Sequence, residues 1–144
     1  MNKKSKAREF AVQALYQWIM TGDDAIDIEI QFVNDHDMSK TDVNYFKELL
    51  QKVILHHRSL KDLMVNYLSR SFDSVDPVEQ AILLLSCYEM QYKPELPYRV
   101  IINEGIELGK TFGAEDGHKF INGIMDSVAS SLREEEISLR RQLD

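Results

Sequence analysis

The stretch that decides the fold runs from Asp76 to Tyr88 and reads Asp-Pro-Val-Glu-Gln-Ala-Ile-Leu-Leu-Leu-Ser-Cys-Tyr. It opens with an acid at the N-cap, a proline at the first helical position and a glutamate at the third, which together signal a helix start. From Ala81 onward the residues are apolar on nearly every side, which is typical of a helix surrounded by other helices. The sequence therefore predicts a central helix inside an all-α bundle.

A second helical pattern lies at the start of the chain. Its apolar face has the i, i+3, i+4, i+7 spacing of a helix, and Gly22 can end it. That face comprises Ala7, Phe10, Ala11, Ala14, Leu15 and Trp18. The other sides of the helix hold Lys4, Arg8, Gln13 and Tyr16, so we expect Tyr16 to share a flank with cations.

The remaining patterns complete the bundle. A short helix is predicted from Asp24 to about Phe32, and a long pattern over 43–68, capped by Ser39 or Thr41, is one bent helix or two. Pro94 and Pro97 separate the central helix from the next one, which Gly113 ends. The glycines at 105 and 109 would allow close helix packing, and a final helix capped by Asp116 precedes a charged tail.

Length and composition fit one domain over residues 1–144, and the patterns above predict a single bundle of about six or seven helices. It has a basic arm at about 1–6 and a charged tail at about 133–144. Hydrophobic residues make up 44% and charged residues 28%, as in ordinary globular proteins. The single cysteine, Cys87, excludes an intrachain disulfide framework and favours a reducing compartment. No stretch approaches the roughly 20 apolar residues of a spanning helix. We therefore expect a cytoplasmic protein without a membrane segment.

Motifs for catalysis or cofactor binding are not supported. His56 and His57 point about 100° apart on a helix, and no second cysteine could complete a zinc site. The Gly109-Lys110-Thr111 segment has Glu104 where a phosphate-binding loop needs glycine. Cys87 has no neighbouring cation to activate it, and no Gly-x-Ser-x-Gly turn occurs. We expect no enzyme activity, no cofactor and no metal site.

Charge is unevenly distributed along the chain. The net charge is −7, yet the first eight residues carry four of the 17 Lys and Arg and no acid. A cationic arm beside Gln13 and Tyr16 could offer phosphate contacts, amide hydrogen bonds and a stacking face to unpaired bases. The alternative is a solvated N-terminus with a tyrosine that only anchors the helix.

Four sequence blocks resemble the NusB family of bacterial transcription antitermination factors and occur in that family's order. They are Ala7-Arg8-Glu9-Phe10-Ala11-Val12-Gln13-Ala14-Leu15-Tyr16, Val78-Glu79-Gln80-Ala81-Ile82-Leu83, residues 102–110 and residues 112–123. The resemblance implies a non-enzymatic helical factor that binds single-stranded boxA RNA together with the ribosomal protein NusE. It also implies a role in transcribing ribosomal RNA operons and an indirect link to the RNA polymerase antitermination complex.

By the same resemblance, RNA contacts would lie in two regions that must be adjacent. They are the first helix with Lys4, Lys6, Arg8, Gln13 and Tyr16, and the later helix start with Asp116, Lys119, Phe120 and Asn122. The NusE surface would include Tyr67, Asp76, Glu79 and Tyr88. Glu79 has a competing role, because the third helical position can cap the helix.

Three departures from the family pattern stand out. The arm is rich in lysine rather than arginine and so lacks the planar fork that binds phosphate in two places. Leu84 stands where many members carry arginine. Gly105 and Gly109 stand where alanine is usual.

Two other function classes stay open at this point. The same helical fold occurs as the N-terminal domain of some RNA cytosine methyltransferases, which would require a downstream catalytic domain. A helical protein-interaction or dimerisation module without specific RNA binding is the other alternative.

Overall fold

The computed structural model describes residues 2–143. Over that range the chain contains eight α-helices, two single 3-10 turns and no strand, which confirms the predicted all-α class. The helices are α1 (Lys3–Thr21), α2 (Ala25–Asp35), α3 (Val43–Leu55), α4 (His57–Met64), α5 (Pro77–Tyr92), α6 (Tyr98–Phe112), α7 (Gly117–Leu132) and α8 (Glu134–Leu143). The 3-10 turns are Val65–Tyr67 and Phe72–Ser74.

The long pattern over 43–68 forms two helices, one of the two predicted alternatives, and the count exceeds six or seven because the charged tail adds an eighth helix. The pattern is broken at His56, which lies between α3 and α4 with a non-helical ψ of 11°. The charged tail, whose sequence has no apolar stripe, forms α8. The arm is not a separate segment either, because α1 begins at Lys3 with Asn2 as its N-cap. Met1 and Asp144, the outer ends of the predicted arm and tail, lie outside the described residues.

Local capping signals explain most helix ends. Gly22 ends α1 in the left-handed conformation, with φ of 71°. Asp76 caps α5 by accepting a hydrogen bond from the Val78 amide at 3.0 Å, with Pro77 at the first position, as predicted. The cap of α3 was wrongly predicted: Asp42, rather than Ser39 or Thr41, accepts from the Tyr45 amide at 3.0 Å.

Helix α5 is the centre of the bundle. Every residue from Glu79 to Met90 is buried, and α1, α3, α4, α6 and α7 all pack against the helix. Gly105 and Gly109 let α6 approach its neighbours closely. A β-carbon at 105 would lie 3.0 Å from the Ser86 hydroxyl on α5, and one at 109 would lie 3.0 Å from the His118 α-carbon at the start of α7.

The end of α7 is tied to the α5–α6 connection by Arg133. This buried guanidinium donates hydrogen bonds to the carbonyls of Met90, Lys93 and Leu96, at 3.0, 3.0 and 2.8 Å. It also pairs with Glu136 of α8 at 2.6 Å. None of the helices described between residues 2 and 143 is long and apolar enough to cross a membrane.

Candidate nucleic-acid interface

One side of α1 presents polar and aromatic groups to solvent. Lys6, Gln13, Tyr16 and Met20 lie on this side because each residue turns an α-helix by about 100°. Tyr16 is 38% exposed, a large fraction for a tyrosine on a packed helix. Gln13 donates a hydrogen bond to the Glu9 carbonyl at 3.1 Å, and it lines the same groove as Tyr16. This side combines a cation, an amide and a stacking surface.

A groove runs along this side of α1. Its walls come from three other elements, so the groove is a tertiary feature of the bundle. The lining residues are Val12, Gln13, Tyr16, Gln17, Met20, Thr21, Phe32, Val78 and Phe112. The floor is largely apolar, which suits a flat ring more than a phosphate.

Lys4 and Arg8 do not flank Tyr16, so the predicted grouping of cations was wrong. Five residues from Arg8 to Gln13 turn the helix by about 140°, which sends Arg8 to the inner side. Lys4 lies near that side too, with its ammonium 4.1 Å from the Tyr45 ring centre and 3.6 Å from the Asp42 carboxylate. Of the cations expected to bind RNA, only Lys6 shares the exposed side with Tyr16.

Arg8 is buried in a charge network, with 2% of its surface exposed. Its Nε lies 2.9 and 3.1 Å from the two carboxylate oxygens of Glu89, and a second guanidinium nitrogen lies 3.4 Å from Glu104. The Tyr45 hydroxyl donates to Glu89, and the Ser5 hydroxyl donates to Glu104 at 2.6 Å. A contact between Arg8 and RNA is therefore not supported by its position, because its donors face carboxylates in the interior.

The pKa values of this network reflect burial and pairing. Burial raises the pKa of Glu89, while Arg8 and the Tyr45 hydroxyl act in the opposite direction. The pKa of Tyr45 is raised strongly by burial and by the neighbouring Glu89 charge. Burial would lower the pKa of Arg8, but its carboxylate partners raise it overall, so the side chain stays cationic.

The start of α7 forms the second candidate region. Asp116 has a left-handed φ of 65°, and its carboxylate accepts no hydrogen bond from the first amides of α7, so the predicted Asp116 cap was wrong. The carboxylate pairs with Lys119 at 3.1 Å instead. Phe120 is half-buried beneath Arg70, whose guanidinium carbon lies 5.9 Å from the ring centre. Asn122 faces a different hollow, between α6 and α7, together with Asn103.

The two candidate regions both border the first turn of α5. Val78 lines the α1 groove beside Tyr16. The next residue, Glu79, lies against the start of α7, because a β-carbon at Gly117 would be 3.2 Å from its carboxylate. The start of α5 thus connects the groove to the start of α7. The end of α6 also borders the groove, through Phe112.

The partner residues divide into two groups. Tyr67 is exposed in the 3-10 turn that packs against α4 and α7, and Asp76 is exposed at the start of α5. Glu79 is buried against Gly117 of α7. Tyr88 lies nine residues beyond Glu79, on the opposite side of α5 and about 13 Å along its axis. Its hydroxyl donates to Glu48 at 2.8 Å, and only 5% of the residue is exposed. The structure therefore does not bring Tyr88 together with the other three.

Glu79 does not act as a capping group. Within residues 2–143 its carboxylate accepts no hydrogen bond, and it lies against Gly117 rather than at the amide of Asp76. Burial and the nearby Asp76 carboxylate raise its pKa, while Arg70 acts to lower it. The negative charge of this buried carboxylate is thus poorly compensated by its surroundings.

Sequence reasoning missed Glu89, Tyr45, Glu104 and Arg70. Glu89 is 81 residues from its partner Arg8, so no local spacing could connect them. In the part of the chain that the structure describes, no group of three or more His, Cys, Asp or Glu side chains could hold a metal ion. The side chains brought together on the surface are those of a binding protein.

Comparison with known proteins identifies the class. The NusB family model matches residues 5–130, and the chain belongs to this family. The family consists of transcription antitermination factors and not of enzymes.

Individual relatives agree over nearly their full lengths. The transcription antitermination protein NusB of Edwardsiella ictaluri is 50% identical over 130 residues, covering 90% of this chain and 94% of that protein. NusB of Shewanella halifaxensis is 45% identical over 132 residues, covering 92% and 98%.

Solved structures share the fold. The crystal structure of T. maritima NusB has a TM-score of 0.82 at 25% identity and covers 96% of this chain and 99% of its own. A chain from the crystal structure of antitermination factors NusB and NusE with dsRNA has a TM-score of 0.79 at 23% identity, covering 88% and 96%. At that identity the second likeness establishes the fold alone.

Proposed function

We propose that this antitermination factor binds single-stranded boxA-type RNA together with the ribosomal protein NusE and supports transcription of ribosomal RNA operons. The observation that carries the proposal is the exposed side of α1, where Gln13 and the exposed Tyr16 line an open groove. Lys6 lies on the same side of the helix, nearer its start. A structural neighbour of the same fold has been crystallised with NusE and RNA, which supports the choice of partners. The link to RNA polymerase would then be indirect, through the assembled complex.

The proposed RNA surface has two parts. On α1, Tyr16 would stack on a base, Gln13 would hydrogen-bond to a base edge, and Lys6 would contact a phosphate. On α7, the contacts would come from Asp116, Lys119, Phe120 and Asn122. Lys4, which is half-exposed beside Asp42, lies at the margin of the surface. Arg8 is left out of the surface because of its burial.

The proposed partner surface consists of Tyr67, Asp76 and Glu79. The carboxylates of Asp76 and Glu79 at the start of α5 suit a partner with a cationic patch, because complementary charges steer association and fix orientation. We propose that the chain performs both roles as one domain in the cytoplasm, where bacterial transcripts are made.

The test is fluorescence anisotropy of a labelled boxA-type RNA, titrated with the protein alone and with NusE, beside a scrambled strand. Tyr16→Ala should weaken binding by about 1–3 kcal/mol if the ring stacks on a base. Lys6→Ala should weaken it less and reduce the salt dependence. Lys52→Ala, which removes an exposed cation on α3, is the matched control and should behave as the wild type.

The outcomes separate the two function classes. Tighter binding with NusE and discrimination against the scrambled strand support the proposal. Absence of RNA binding in both conditions would contradict it and favour an interaction module. The exposed Ile26 and Ile30, one turn apart on α2, give that alternative a specific surface, and sedimentation equilibrium would detect self-association through it.

A further inference from the structure

Arg70 is an exposed arginine with an unusual arrangement of neighbours. It lies between the two 3-10 turns, and its guanidinium carbon is 5.9 Å from the centre of the Phe120 ring. Within residues 2–143 it forms no ion pair within 4.0 Å, and its donors make no hydrogen bond. The guanidinium therefore lies within cation–π distance of an aromatic ring, while its hydrogen-bond donors stay unused by the part of the chain that the structure describes.

The charges around Arg70 are mixed. Lys119 precedes Phe120 in the first turn of α7, where the helix dipole also favours an anion. On the other side stands the Glu79 carboxylate, which feels the charge of Arg70. Lys119 is paired with Asp116 at 3.1 Å, whereas Arg70 has no carboxylate of the described residues within 4.0 Å. The buried Glu79 carboxylate lies against Gly117, three residues before the Phe120 ring that Arg70 approaches.

We propose that Arg70 is a further RNA-contact residue, which binds a phosphate of the single strand while its plane rests on Phe120. The inference rests on the proposed function, because it extends the α7 part of the RNA surface. An arginine fork binds a phosphate through two parallel hydrogen bonds, which a lysine cannot do. Arg70 would thereby supply the bidentate contact that the lysine-rich start of α1 lacks.

Glu79 limits this contact until a partner binds. Its carboxylate attracts the same guanidinium that the phosphate requires, and it belongs to the proposed partner surface. A cationic group of the partner that neutralised Glu79 would release Arg70 for the RNA. The two binding events are then coupled through one charge pair, and each strengthens the other by the same factor.

The first test compares the full-length wild type with Arg70→Ala, Arg70→Lys and the control Arg58→Ala, using labelled boxA-type RNA at several salt concentrations. Arg70→Ala should weaken binding about tenfold, the typical effect of a charge-assisted hydrogen-bonded contact. It should also reduce the slope of log K against log salt by about 0.7 in magnitude. Arg70→Lys should keep the slope and recover only part of the affinity. Arg58, an exposed arginine on α4, should be replaceable without effect.

The second test uses Glu79→Gln without the partner. It should tighten RNA binding by up to about fivefold, as expected for removing one weak competing charge pair. In the Arg70→Ala background the same substitution should have no effect. An equal gain in both backgrounds would overturn the coupling, and circular dichroism melts would verify that each variant folds.

The results distinguish failure of the inference from failure of the proposed function. Wild-type binding to boxA-type RNA with unchanged affinity and salt slope in Arg70→Ala would refute the role of Arg70 alone. A wild type that binds neither the boxA-type nor the scrambled strand, with or without NusE, would refute both.

Discussion

Replacing Arg8 should destabilise the protein severely rather than remove an RNA contact. The guanidinium is buried, and it compensates the Glu89 carboxylate, which is 0% exposed. Arg8→Met would leave that carboxylate in the interior without a countercharge, which typically costs about 3–5 kcal/mol. At about 2–4 °C per kcal/mol for a domain near this size, the melting temperature should fall by roughly 6–20 °C.

The loss of stability in Arg8→Met should grow as pH rises. Burial raises the pKa of Glu89 above its ordinary value of 4.5, and removal of Arg8 takes away the charge that opposes this shift. Between the unfolded and the folded pKa the folded state binds more protons, so stability falls as pH rises through that window. Without Arg8 the window extends to higher pH. The difference between variant and wild type should therefore be smallest near pH 4.5 and grow toward neutrality.

The assay is urea denaturation at several pH values, followed by circular dichroism. The double variant Arg8→Met with Glu89→Gln should recover much of the loss at neutral pH, because a neutral amide needs no countercharge. Arg58→Ala should stay within about 0.5 kcal/mol of the wild type. An Arg8→Met protein with wild-type stability and weakened RNA binding would refute this reasoning and place Arg8 at the RNA after all.

Gly109→Ala should lower the free energy of unfolding in urea by about 1–3 kcal/mol, because the new β-carbon would meet the His118 backbone at 3.0 Å. Gly123→Ala, whose new β-carbon would have nothing within 4 Å, should raise the free energy of unfolding by up to about 1 kcal/mol. Equal effects of the two would contradict the close α6–α7 approach. Asp76→Ala should cost about 1 kcal/mol through loss of the α5 cap, and no change would mean that the cap is replaceable. The Cys87 thiol, whose pKa burial raises to about 12, should not react with Ellman's reagent at pH 8 until urea unfolds the protein, and rapid native labelling would show that it is accessible.

The sequence predicted those parts of the fold that depend on local signals. The Asp76-Pro77 start of α5, the Gly22 end of α1 and the burial of α5 all follow from short patterns, and the structure has each of them. The sequence left open whether the 43–68 pattern is one bent helix or two, because the apolar spacing continues across His56. The tail offered no apolar stripe from which to predict a separate α8.

The candidate site was less accessible to sequence reasoning. Gln13 and Tyr16 were singled out from their types and positions, and the structure leaves Tyr16 exposed. The Arg8 side chain points inward because it pairs with Glu89, which is far along the chain. No short sequence pattern around Arg8 could therefore predict its burial. Arg70 was missed for the same reason, because only the fold brings it over Phe120.

The burial of α5 from Glu79 to Met90 has a consequence for the dynamics of the protein. Amide protons of a helix enclosed on all sides exchange with deuterated water only when the whole domain unfolds. The amides from Leu83 to Met90 should therefore report the global free energy of unfolding, while those of α8, none of whose residues is buried, should exchange through local opening. Partners that bind near the exposed ends of this helix would thus meet a rigid axis.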